Sequence, residues 1–127
     1  TLELQLMALK RFLVLDQNDE TRFLLKSILG EMQYGDVTLC GNGEEALSLL
    51  EPKKIEFIIL SWELKPMNGS VFVQKLHSKG AFRYLPILIY SQSLKSADVR
   101  LIQELGIGKI IPFPLDKSKT ASVDWIS

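Results

Sequence analysis

Cysteine is nearly absent: Cys40 is the single thiol in 127 residues. One cysteine forms no internal disulfide, so a reducing, cytoplasmic location is expected. Charge of one sign is lacking as well. The 15 Lys+Arg and 15 Asp+Glu cancel, which argues against nucleic acid or an anionic membrane as a partner, since both need a basic excess or patch. No apolar run approaches the roughly 20 residues of a membrane span, and no signal-peptide pattern opens the chain. Repeats, low-complexity tracts and linkers are missing too. What is present is apolar substance: 46% hydrophobic residues and a mean hydropathy of +0.12. That excludes disorder and points to one domain whose core is buried on more than one side.

Short apolar runs alternate with helical periodicity. Phe12-Leu13-Val14-Leu15 stops at Asp16 and suits a strand buried on both faces. Asp19 is the expected N-cap of a helix carrying Phe23, Leu24, Ile28, Leu29 and Met32, ended by Gly35. Val37 to Cys40 reads as a strand, and Gly41-Asn42-Gly43 turns into a helix that Pro52 terminates. Ile55 to Leu60 is the best candidate for the central strand. Asn68 caps the next helix, ended by Gly80, and Pro86 precedes the strand Ile87 to Tyr90. Ser96 is expected to cap a helix stopped by Gly106, Ile110-Ile111 makes a further strand, and Asp116 begins a last helix toward Ile126. Five strands alternating with helices predict parallel pairing. Residues 1–9 stand outside the alternation, as an extension or the end of a preceding segment. Residues 10–127 form the domain, with the look of a piece cut from a longer protein; a processed initiator Met before Thr1 explains the start equally well.

The landmarks Phe12-Leu-Val-Leu-Asp16, Asn42-Gly-Glu-Glu-Ala-Leu47, Met67-Asn-Gly69, Leu85-Pro-Ile87 and Phe113-Pro114 occur in order. Together, over roughly residues 10–120, they resemble the receiver domain of bacterial two-component response regulators, the CheY-like superfamily. The resemblance implies an α/β, flavodoxin-like, doubly wound sheet of five parallel strands, order 2-1-3-4-5, with helices on both faces. It also implies a phosphorylation pocket at the strand ends. There an aspartate takes a phosphoryl group from a histidine kinase, acids hold Mg²⁺, and a hydroxyl and a lysine bind the phosphoryl oxygens.

Carried over position by position, the pocket departs from that pattern. Asp16 matches the first acid, but Gln17 replaces the second. Ser61 falls on the phosphoacceptor position, Ser91 on the hydroxyl, and Phe113 on the lysine. Ile110 stands where the family has its switching aromatic, and the Phe113–Pro114 bond is expected to be cis. The expectation is therefore a degenerate pseudo-receiver: a phosphorylation-independent interaction and regulatory module, not an enzyme, with a vestigial pocket of Asp16, Gln17, Ser61, Ser91 and Phe113. Mg²⁺ should bind weakly at most, and no other cofactor is expected. Partners would be signalling proteins such as a histidine kinase or an attached output domain, or a second copy in a homodimer.

Two alternatives stand beside it. One is residual Mg²⁺ or phosphoryl binding through Asp16, Glu63 and Ser61, with Asp19 a further metal candidate. The other is a small-ligand binder at the strand-end pocket, walled by Phe113 and Trp62. Trp62, Leu94, Leu101 and Ile110 are candidates for an interaction surface, because the helix from Ser96 carries a wider apolar face than one buried stripe requires. Glu44 and Glu45 would repel a phosphate from the Gly41-Asn42-Gly43 turn. His77 has no metal-ligand partner at useful spacing, and Cys40 reads as an inert buried thiol without a basic neighbour.

Overall fold

The computed structural model describes residues 11–31, 36–50, 54–91, 94–107 and 109–112. Strands β1 (Arg11–Leu15), β2 (Asp36–Cys40), β3 (Phe57–Ser61), β4 (Ile87–Ser91) and β5 (Lys109–Pro112) alternate with helices. These are α1 (Asp19–Glu31), α2 (Gly43–Leu49), α3 (Gly69–Ser78) and α4 (Ser96–Glu104). The sheet runs β2-β1-β3-β4-β5 and all its pairs are parallel. This is the flavodoxin-like α/β arrangement, with β3 and β4 buried along their whole lengths. Among the described residues, no helix is long and apolar enough to cross a membrane.

Strand alternation divides the interior in two. Leu13, Leu15, Ile58, Leu60, Ile87 and Ile89 face a cluster that takes in Ala46 of α2, Phe72, Val73 and Leu76 of α3, and Ile102 of α4. Phe12, Val14, Phe57, Ile59, Leu88 and Tyr90 face the other way, onto Leu25 and Leu29 of α1. A side chain of this kind contributes about 1.5–3 kcal/mol when fully buried. A period of two therefore fixes register, since a one-residue slip would exchange the two sets between interiors packed for different side chains.

Helix starts differ in part from the expectation. Asn42 and Asn68 cap α2 and α3, accepting from Glu45 N at 2.8 Å and Val71 N at 2.9 Å. At α1 the cap is Asn18 and not Asp19: Asn18 Oδ1 accepts from Thr21 N at 3.0 Å, while Asp19 is already helical and pairs with Arg22. At α4 the cap position is Lys95, and Ser96 is the first helical residue. There the Asp98 carboxylate, three residues on, accepts from Lys95 N at 3.1 Å. Gly80 and Gly106 follow their helices at φ of 49° and 79°, a left-handed conformation that glycine adopts without strain.

The described residues contain a cis peptide at Lys65–Pro66. The Phe113–Pro114 bond, the last helix from Asp116, residues 1–9, Gly35 and Pro52 all lie outside the described residues.

Candidate functional site

From β1 the chain crosses to β2 on one side; from β3 it proceeds to β4 and β5 on the other. The reversal falls between β1 and β3, where open α/β sheets leave a crevice outside the carboxyl ends of the strands. Leu15 is in register with Leu60, and Ser61 with Tyr90. Asp16 follows β1, Ser61 ends β3, and Tyr90 stands one residue short of the end of β4. All three share the parity of the α1-facing residues, so the alternation that builds the core also aligns one polar side chain from each of three adjacent strands.

They border a cavity of about 200 Å³ with Gln17, Glu63, and Asn18 and Thr21 at the start of α1. Asp16 is 5% exposed, and both carboxylate oxygens accept hydrogen bonds. Asn18 N donates to Oδ1 at 2.9 Å, and the Tyr90 hydroxyl donates to Oδ2 at 2.5 Å. Arg22 Nη1 donates to the Asp16 carbonyl oxygen at 2.5 Å, so this guanidinium holds the backbone and not the carboxylate.

The Gln17 side-chain oxygen accepts from Lys65 N at 2.9 Å, tying the β1–α1 loop to the β3–α3 loop. Ser91 Oγ donates to Glu63 Oε1 at 2.5 Å. Burial, and then the hydrogen bond to Asp16, push the Tyr90 phenol well above the usual tyrosine range. Among the described residues, no lysine, arginine or histidine lines the cavity. Asp16, Gln17 and Glu63 each accept from a neutral donor there, an arrangement suited to fixing loops in place.

Of the expected pocket, Asp16, Gln17 and Ser61 come together, and Ser91 joins through Glu63. Phe113 lies outside the described residues. Asp19 does not line the cavity; it is exposed and paired with Arg22. Tyr90 was legible only as a strand residue. The signal in the sequence was a tyrosine closing an otherwise aliphatic run, since a buried phenol hydroxyl ordinarily finds a partner.

Trp62 is corrected as a surface anchor or pocket wall. It is 7% exposed, belongs to the core cluster on the α2–α4 side and does not border the cavity. The reason is its close packing under the start of α3, where a Cβ on Gly69 would stand 2.8 Å from Trp62 Cε3. Leu94, Leu101 and Ile110 are half-buried and pack against the same core. They retain some surface, but it is the margin of the interior.

Burial raises the Cys40 thiol pKa, as an inert residue requires, although Arg22 does lie near enough to oppose the shift. His77 sits on α3 beside a second opening of about 670 Å³ at the other end of β4, far from the strand-end carboxylates in the topology. That opening is bordered by Arg83, Tyr84 and Glu104 as well as by His77.

The response regulator receiver domain model matches residues 12–122. Chemotaxis protein CheY1 of Helicobacter pylori is 28% identical over 105 residues, 82% of this chain and 85% of that protein. The CheY homolog of Campylobacter jejuni is 26% identical over the same length, covering 82% and 81%. Among solved structures, Vibrio cholerae chemotaxis protein CheY4 superposes with a TM-score of 0.81 at 18% identity, covering 89% of this chain and 93% of that one. A receiver protein from Pseudomonas putida gives 0.79 at 23% identity, with the same coverages. These two structures establish likeness of fold. With the family match spanning nearly the whole described chain, the protein belongs to the response regulator receiver domain family, as a CheY-like domain of two-component signalling.

Proposed function

We propose that this receiver works without aspartyl phosphorylation, as a constitutive protein-interaction and regulatory module and not as an enzyme. The observation that carries the reading is the strand-end cavity itself. β3 ends in Leu60-Ser61 and carries no acidic residue, so the attacking carboxylate of the family is replaced by a hydroxyl. A serine hydroxyl needs a base to become a nucleophile. The Asp16 carboxylate bordering the same cavity already accepts from Asn18 N and Tyr90.

The family implies Mg²⁺ at this position, and the donor set does not fit it. A hard divalent cation needs several anionic or carbonyl oxygens directed at one point. Here Asp16 already accepts a hydrogen bond on each carboxylate oxygen, Gln17 is neutral and held by Lys65 N, and Glu63 Oε1 accepts from Ser91. No cluster of three or more potential metal ligands occurs among the described residues. Ile110, where the family has its switching aromatic, packs half-buried against the core. A domain with neither its ligand nor its moving ring is expected to hold one conformation.

Receivers work with kinases and output domains. We assign this one to such a partner, in the cytoplasm, recognised by a surface that needs no covalent signal. One observation favours a second reading of residual phosphoryl or Mg²⁺ binding: two carboxylates, Asp16 and Glu63, border one cavity with Ser61. Incubation with acetyl phosphate and Mg²⁺, read by intact-mass spectrometry, separates the two. The expected result is no phosphate adduct and no beryllofluoride-dependent chemical-shift change at Ser61 or Ser91. An adduct on Ser61 would replace the first reading with the second.

A further inference from the structure

A buried carboxylate must be matched by a cation or by hydrogen-bond donors. Asp16, 5% exposed, is matched by neutral donors: the backbone N of Asn18 on Oδ1 and the Tyr90 hydroxyl on Oδ2. The second donor comes from two strands away. Tyr90 is in register with Ser61 on β3, and β1 lies on the far side of β3, so the phenol reaches across the end of β3 to meet Asp16. It does so inside the cavity that Ser61 and Glu63 also border. An aliphatic side chain at position 90 would leave Oδ2 facing that space.

We propose that the Tyr90 hydroxyl is a built-in stand-in for a divalent cation, occupying Asp16 Oδ2 and so setting the pocket against metal. The inference rests on the reading of the cavity above, yet it makes a separate claim: Tyr90 excludes the cation in addition to the loss of acids at positions 17 and 61. Restoring those acids while Tyr90 remains should then give a poor metal site, and removing the hydroxyl should improve it.

The test is Mg²⁺ titration of the full chain by calorimetry and amide NMR. It compares the double variant Gln17→Asp/Ser61→Asp with the triple variant that adds Tyr90→Phe. Phenylalanine keeps the ring and its packing, and thermal unfolding of each variant checks the fold. The triple variant should bind Mg²⁺ about 10-fold or more tightly than the double, because a charge-assisted hydrogen bond no longer competes for Oδ2. Adding Asp16→Asn should abolish that gain.

Equal affinities in the double and triple variants overturn the inference, as does a gain that survives Asp16→Asn. If the triple variant does not fold, Tyr90→Phe alone carries the test. It should show a Mg²⁺-dependent shift at the Asp16 amide that the parent chain lacks, and the same response in both overturns the inference. The two claims fail separately. A phosphate adduct on Ser61 ends the phosphorylation-independent reading and leaves the Tyr90 comparison standing; equal Mg²⁺ affinities do the reverse.

Discussion

Tyr90 and Asp16 form a buried pair whose value lies in mutual satisfaction. Removing only the hydroxyl takes a charge-assisted hydrogen bond from a buried carboxylate, so Tyr90→Phe should cost about 1.5–3 kcal/mol without Mg²⁺. Urea denaturation measures this, and a loss below about 0.5 kcal/mol would show that water replaces the phenol without penalty. The same pair sets an alkaline limit. Burial and Asp16 raise the Tyr90 pKa above its ordinary value of 10.0, so its contribution is complete below pH 10 and is lost as pH rises beyond it. Spectroscopic titration should find one of the 3 tyrosines ionising only with unfolding.

His77, the one histidine, behaves in the opposite sense. Burial, and then Arg83, lower its pKa from 6.5, so the folded state favours the neutral ring. Its contribution is present above pH 6.5 and falls as pH drops through the lowered value. His77→Gln should therefore flatten the acid-side decline in stability, and an unchanged slope would exclude His77 as its source.

At the scale of elements, three asparagines do the same work. Asn18, Asn42 and Asn68 each accept from the backbone N–H three residues on, starting the helices that follow β1, β2 and β3. Each contributes about 1 kcal/mol against alanine by satisfying a donor that the helix leaves unpaired. The next residue after Asn68 is constrained from the other side. A Cβ on Gly69 would meet Trp62 Cε3 at 2.8 Å and the Trp62 Cα and O at 3.1 Å. Two of those three atoms are backbone and cannot turn aside. Gly69→Ala should thus destabilise by about 1–3 kcal/mol. A Cβ on Gly30 in α1 would meet nothing within 4 Å, so Gly30→Ala should stabilise by about 0.5–1 kcal/mol through helix propensity. Thermal unfolding of the two variants should show shifts of opposite sign; shifts of the same sign would refute the contrast.

For the molecule as a whole, the sheet is a partition between two interiors. Ile59 belongs to the cluster on α1, and Ile102 to the cluster under α2, α3 and α4. Ile59→Val and Ile102→Val should each cost about 0.5–1.5 kcal/mol. Their double variant should equal the sum within about 0.5 kcal/mol, because the two side chains share no cluster. A larger coupling by denaturant titration would mean that strain passes through the sheet. The partition bears on function too. Three polar side chains of the cavity, Asp16, Ser61 and Tyr90, continue the α1-facing rows of their strands, so the site is anchored in one of the two interiors.

The alternation of apolar runs with helical periodicity determined the layered parallel sheet, because those patterns bury completely in few other ways. The order of landmarks determined the family, and reading along the chain placed Asp16, Gln17, Ser61 and Ser91 at strand ends. Local chemistry also fixed the cap Asn68, whose side chain acts within three residues of itself. Contacts between distant segments were decided only in three dimensions. Trp62 went inward because Gly69 leaves room for its indole. Tyr90 met Asp16 across 74 positions of sequence, a partnership set by strand register and the length of a phenol. A pattern of residue types records which face a side chain takes; which group it meets there depends on how the strands are ordered and aligned, and that is a property of the tertiary structure.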